Sequence, residues 1–162
     1  MPGFLLDQTA TANVYPNRVR DPNAVTNGNF GTMTIRRRVV NNTGQPVTKL
    51  RFRIVNMTTS PSGILADLRA LSIADTPGIV VNDPTTCTAA ALSAPCTITV
   101  RGTTLETPPA QPHGGGMNSS LSVGAITLAT PLASGASADV QFLLGVQQAG
   151  TYRFFINVEA VP

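Results

Sequence analysis

The sequence lacks tryptophan and has one histidine (His113), one lysine (Lys49), two glutamates (Glu106 and Glu159) and two cysteines (Cys87 and Cys96) among 162 residues. Each scarcity excludes something. Charged residues make up 12% of the chain, against about 25% in an average soluble domain. With so little Glu and Lys, long solvated helices are not available. One histidine and two cysteines are too few for a metal-ligand set of the zinc type. No apolar run reaches the roughly 18 residues that a membrane-spanning helix needs. Residues 1–12 (MPGFLLDQTATA) carry neither a cationic leader nor an apolar h-region, so they do not read as a signal peptide. The net charge of +3 and pI of about 9.4 are mild. The dense Lys/Arg stripe interleaved with aromatics that marks a nucleic-acid binder is missing.

What the chain does have is turn chemistry and short apolar alternations. Gly (14) and Pro (13) are abundant and 42% of residues are apolar, which favours many short strands. The length fits one domain with a core of useful size. Ten of the eleven cations are arginines, suited to fixed, planar pairing with carboxylates.

The stretch Met33–Met57 is the strongest signal. It reads MTIRRRVV, NNTGQPVT and KLRFRIVNM, two strand patterns around a turn-rich connector. In the first, Met33, Ile35, Arg37 and Val39 share one face and Thr34, Arg36, Arg38 and Val40 the other. In the second, Leu50, Phe52 and Ile54 face opposite to Lys49, Arg51, Arg53 and Val55. The pattern predicts a central antiparallel hairpin whose solvent face gathers Arg36, Arg38, Arg51 and Arg53. Such a face needs acids, and Asp67, Glu106, Asp139 and Glu159 are the candidates within the chain.

Further strands are expected over Ile64–Ile73, Ile79–Val81, Thr97–Glu106, Leu121–Ala129, Asp139–Val146 and Tyr152–Val161, with a long loop over Thr107–Asn118. In Ile64–Ile73 the spacing of Leu65, Leu68 and Leu71 also fits a helix, while Ala66, Leu68 and Ala70 alternate as in a strand. In the last strand, Tyr152, Phe154, Ile156, Val158 and Ala160 share one face and Arg153, Phe155, Asn157 and Glu159 the other. Residues 1–30 read as an extended N-terminal arm. It is either a first strand and a connection, or a segment that adds to a neighbour's sheet edge. Residues 31–162 read as the β-sandwich domain. Cys87 and Cys96 bracket TAAALSAP, which favours a local disulfide over two buried thiols.

Candidate chemistry is thin. His113 stands alone in PHGGGMN, without the orienting partners that a nucleophilic triad requires. The glycine run lacks the Gly-Lys-Ser/Thr ending of a phosphate loop. Asp21, Asn23, Asn27 and Asn29 supply oxygen atoms, but a single carboxylate is little for calcium. Asp75 and Asp83 are expected to face solvent. Tyr15, Phe30 and Phe155 are the aromatics available for glycan contact. Lys49 with Asn157 and Glu159 has the residue types of an isopeptide bond. The expectation is no catalytic residue, no cofactor and no metal.

IRRRVVNNTGQPVTKLRFRIVN, VRGTTLETPPAQPHGGGMNSSL and FLLGVQQAGTYRFFINVEAVP resemble a module found near the C-terminus of very large multidomain bacterial secreted or cell-surface proteins. The resemblance spans about Thr32 to Pro162. It implies an extracellular, non-enzymatic, immunoglobulin-like antiparallel β-sandwich, here of about seven to nine strands. The expected role is structural, through contacts with copies of itself or neighbouring domains. A virion or filament surface subunit and a glycan-binding adhesin module are the alternatives. The candidate interface comprises Phe4, Leu5 and Leu6 in the arm, Arg36, Arg38, Arg51 and Arg53 on the strand face, and Phe155 on the last strand.

Overall fold

The computed structural model describes residues 1–59, 62–106 and 111–162. The described residues are all-β apart from one short helix. Its elements are β1 (Gly3–Leu5), β2 (Arg18–Asp21), β3 (Thr32–Val40), β4 (Lys49–Met57), β5 (Asp67–Leu71), β6 (Thr76–Val81), α1 (Pro84–Ala89), β7 (Cys96–Val100), β8 (Thr104–Leu105), β9 (Ser120–Ser122), β10 (Ser137–Gln148) and β11 (Phe154–Val161). Every pairing between named strands is antiparallel. One sheet runs β1-β3-β10-β5, with β2 also on β3, a second runs β11-β4-β9-β8, and β6 and β7 form a two-stranded ribbon. The expected loop over Thr107–Asn118 falls partly outside the described residues, at 107–110.

The two larger sheets face each other across one core. Val39, Phe142 and Leu144 of the first meet Leu50, Phe52, Ile54 and Leu121 of the second. Phe52 and Phe142 stack edge to face, with ring centroids 4.9 Å apart, a favoured aromatic geometry. The alternation of β4 and β10 produces this directly, because every second side chain points inward.

The expected hairpin is not formed. β3 and β4 lie in different sheets, and β3 pairs instead with β10, in register from Ser137↔Val40 to Gly145↔Thr32. β4 pairs with β11 and β9. The connector NNTGQPVT therefore arches from one sheet to the other. Asn41, fully buried, holds the arch: its side-chain amide donates to the carbonyls of Gln45, Leu132 and Ala133. Turn formers serve an arch as well as a hairpin, and the partners that decide between them lie about ninety residues away.

Other boundaries move for local reasons. The expected strand Thr97–Glu106 breaks into β7 and β8, because the chain changes sheet at Gly102. A Cβ there would sit 2.0 Å from the Ile73 carbonyl, and the Gly102 N–H is held by Asp75 at 2.7 Å. The expected strand Leu121–Ala129 shrinks to β9. The helix α1, absent from the expected elements, starts three residues before Cys87 and includes it. Asp83 caps it by accepting the N–H of Thr85, with Pro84 at the first position. Asp83 is thus buried, against the expected solvent position. The Cys87–Cys96 disulfide closes this excursion.

The β3–β10 sheet is covered on its other face too. The ribbon, α1 and residues 6–17 lie over it, around a second apolar cluster of Leu6, Ile79, Val81, Val100 and the cystine. The sheet's residues beneath this cover are polar. Arg38 pairs with Asp139 through two bonds of 2.8 and 2.9 Å and also donates to the carbonyls of Thr85 and Thr86. Arg36 donates to Gln141 and to the Pro16 carbonyl. Gln141 in turn reaches Ala74 and Thr76. Residues 1–30 fold onto their own chain: β1 and β2 pair with β3. Buried Asp7 accepts from Asn82 of the ribbon's end and from Thr9, and Asn17 binds the backbone of residues 7, 10 and 11.

Two predictions follow from these buried charges. Asp139→Ala leaves the Arg38 guanidinium buried without its carboxylate and lowers stability by about 3–5 kcal/mol. Lys49→Met, which breaks the exposed pair with Glu106, costs less than about 1 kcal/mol. Urea denaturation of the two variants checks the contrast. For Asp7, burial raises the carboxyl pKa, but hydrogen bonds from the Thr9 hydroxyl and from the Asn82 and Thr9 N–H groups outweigh it and hold the pKa below the ordinary value. A depressed folded-state pKa gives stability that is complete above the ordinary carboxylate range and is lost as pH falls below it. Asp7→Asn is thus expected to be less stable than the parent at pH 7, by about 1–3 kcal/mol. The gap narrows in urea titrations below about pH 4.

Candidate functional site

The two edges of the sandwich differ. At one edge the sheets are stitched together. The Ile73 N–H donates to Thr103 and the Leu105 N–H to the Ser72 hydroxyl, linking β5 to β8. The outer edge of β5 is occupied by the glycine run: Ala70 and Gly115 exchange two backbone bonds of 2.8 and 2.7 Å. Gly114 has φ +79° and lies against Arg69, so the run serves as a close-packed edge segment. His113, the residue before the run, is exposed.

At the opposite edge the sheets part. β11 is the end strand of its sheet, and among the described residues no strand pairs with its outer side. Between β11 and the β1–β3 edge lies a cleft of about 580 Å³, floored by Phe52 and Phe142 and walled by Ile35, Val39, Phe154 and Ile156. The inward side chains of β11, Phe154, Ile156 and Val158, pack on the core but stay half-buried. Sequence alternation places them on a core face correctly, yet no alternation says whether the facing sheet extends far enough to cover them.

Arg37 enters this cleft. It lies on the same side of β3 as Ile35 and Val39, inside the sandwich rather than on the polar layer. Its guanidinium donates to the Arg36 carbonyl at 2.7 Å, and burial pulls its pKa below the ordinary arginine value. A separate, smaller cleft of about 260 Å³ is bordered by Arg18, Arg20 and Leu68. Tyr152 borders both, and Arg18 donates to its hydroxyl at 3.3 Å. Arg20 donates to three carbonyls, those of Asp21, Phe30 and Thr32. Among the described residues none of these three arginines forms an ion pair, whereas Arg38, Arg51, Arg53, Arg69 and Arg101 all do.

The structure distributes the residues expected to form an interface. Arg36 is buried under the N-terminal segment and Arg38 under α1, and Leu6 is fully buried in the second apolar cluster. Arg51 and Arg53 lie on the exposed face of the other sheet, around Glu159, with Lys49 and Glu106 beside them. These bonds, led by that from Arg53, lower the Glu159 pKa. The four arginines thus share no face, because the strands that carry them share no sheet. Asp139, Glu106 and Glu159 do supply the acids, and Asp67 pairs with Arg69. Leu5 is half-buried, Phe4 is 41% exposed and Phe155 56% exposed. Phe155 stands with Glu159 on the outward side of β11, on the sheet face that also carries Arg53 of β4.

The remaining candidates have structural partners. The Tyr15 hydroxyl accepts from the Val80 N–H, and its ring lies beneath Arg36. The Asp21 carboxylate accepts twice from Asn23 in a local turn. Among the described residues no three His, Cys, Asp or Glu side chains converge as a metal site would require. Lys49 lies opposite Val161 in the β4–β11 ladder, whereas Asn157 lies opposite Arg53, so Lys49 and Asn157 are not cross-strand neighbours.

Incomplete cover on β11 should register in stability. Ile54→Ala, at a fully buried position, is expected to cost about 3–4 kcal/mol, and Ile156→Ala, on the cleft wall, only about 1–2 kcal/mol. Chemical denaturation of the two variants measures the difference. Comparison with protein families, with curated proteins and with solved structures finds no significant match to this chain.

Proposed function

We propose that the chain is a non-catalytic structural module of an extracellular or cell-surface assembly, an immunoglobulin-like sandwich working through contacts with copies of itself or neighbouring protein domains. The observation that carries this reading is the open edge: among the described residues the eight-residue strand β11 has no outer partner, and its inward side chains Phe154, Ile156 and Val158 stay half-buried. Free strand edges pair readily with other chains, and natural proteins usually blunt them with charge, proline or a covering segment. Here one edge is covered by Gly114–Gly115 and the other is left open. The disulfide supports an oxidising compartment. The exposed Phe155 adds apolar surface next to the open strand.

The competing role is glycan binding through exposed aromatics. Light scattering over a concentration series, together with a glycan array, separates the two. The proposal expects association that rises with protein concentration and an array without hits. A strict monomer with glycan binding that Phe155→Ala abolishes overturns it.

A further inference from the structure

The geometry of the open edge points to a particular occupant: an extended segment of another polypeptide, apolar at alternate positions and bearing a carboxylate, which adds to β11 as a further strand. The inference rests on the assembly reading above and gives it a site and a partner chemistry.

Three needs define the occupant. The outer edge of β11 presents alternate N–H and C=O groups, and only another extended backbone satisfies a whole row of them. A strand laid there turns every second side chain toward the cleft, over Phe154, Ile156 and Val158, so those side chains must be apolar. At about 3.3 Å per residue, eight residues match the length of β11.

The third requirement is charge. Arg37 lies in the cleft, Arg18 and Arg20 border the smaller cleft that shares Tyr152 with it, and none has a carboxylate partner among the described residues. A partly desolvated guanidinium favours an anion strongly. Of the eight acids, Asp67, Asp75, Glu106, Asp139 and Glu159 are taken by other arginines. Asp7 and Asp83 are buried in the N-terminal attachment. Asp21 closes its own turn. The carboxylate must therefore arrive with the occupant. A second copy pairing β11 with β11 satisfies the backbone edge, but the acid on that strand, Glu159, is already bound by Arg51 and Arg53 on the opposite face.

The test uses the full chain and three nine-residue peptides of alternating valine and threonine: one with a central aspartate, one with lysine in its place, and one with aspartate and a proline replacing a neighbouring threonine. Binding is followed by amide NMR and hydrogen exchange. The aspartate peptide is expected to bind, to slow exchange at alternate β11 amides, and to bind about tenfold more tightly than the lysine peptide. The proline peptide, with a missing N–H, is expected not to bind. Arg37→Gln should abolish the preference for aspartate while leaving the thermal midpoint within a few degrees. The peptide comparison holds even if that variant misfolds. Equal binding of the aspartate and lysine peptides, protection elsewhere than β11, or no binding at millimolar peptide overturns the inference. So does concentration-dependent protection of β11 in the free protein, which would assign the edge to a second copy. If the peptides fail while light scattering shows self-association, the assembly reading stands with a second copy as the occupant, whereas specific glycan binding removes that reading itself.

Discussion

The antiparallel ladder between β3 and β10 is the constraint on which the rest depends. It joins residues 32–40 to residues 137–145, so it cannot form until most of the chain is present, and it places a sheet at the centre with both faces covered. One face is the apolar core shared with β4. The other must accept a second layer, and there the sequence supplies arginine, glutamine and aspartate instead of aliphatic residues. Buried polar groups of this kind are tolerable only when fully partnered. Arg38 meets Asp139 directly across the ladder, and Gln141 bonds three elements at once. The polar layer fixes where the ribbon, α1 and N-terminal segment must sit, because each bond has one geometry. An apolar layer would hold the cover more loosely.

Covering the outer face leaves its mark on the edges. The N-terminal segment runs along β3 in two pieces, β1 over residues 37–39 and β2 over residues 32–35, and Arg36 between them bonds the loop that joins the pieces. That segment extends the first sheet sideways, but it does not turn the corner to the second sheet, as Gly102 and the glycine run do at the opposite edge. β11 is consequently anchored at its ends and along β4, by Thr151 to Ile64 and Ala66 and by Val161 to Thr48, with its other side open. The asymmetry is a property of chain routing rather than of any one strand's composition.

That distinction explains how much could be read from sequence. Strand existence was legible, since β3, β4, β10 and β11 follow two-residue alternations and appear near the expected places. The local disulfide was legible from spacing. Pairing was not: IRRRVV and LRFRIV flank a turn-forming octapeptide, and nothing local separates a hairpin from an arch held by Asn41 to Leu132 and Ala133. The arginine face failed with the hairpin, although three of the four acids proposed for it do bind its arginines. The helix was within reach, since Asp83-Pro84 is an N-cap followed by proline at N1. The break at Gly102 was not, since the carbonyl that excludes a side chain there comes from Ile73.

One residue in the sequence did carry the sign of the open edge. Arg37 shares its strand face with Met33, Ile35 and Val39, three residues of the buried core. In a sealed sandwich that position would bury a permanently charged group with no carboxylate to meet it, at a cost of several kcal/mol. The same position is acceptable if the sheets part beside it, so that the guanidinium keeps some solvent and bonds a carbonyl. An arginine on the inward face of a strand is therefore informative in a way that an arginine on the outward face is not. It requires a buried acid, a set of neutral acceptors such as Gln141 and Pro16 supply to Arg36, or an opening, and Arg37 has one carbonyl and a cleft. The half-buried wall of β11 and the charge on β3 are two consequences of one gap, and whatever fills that gap must answer both.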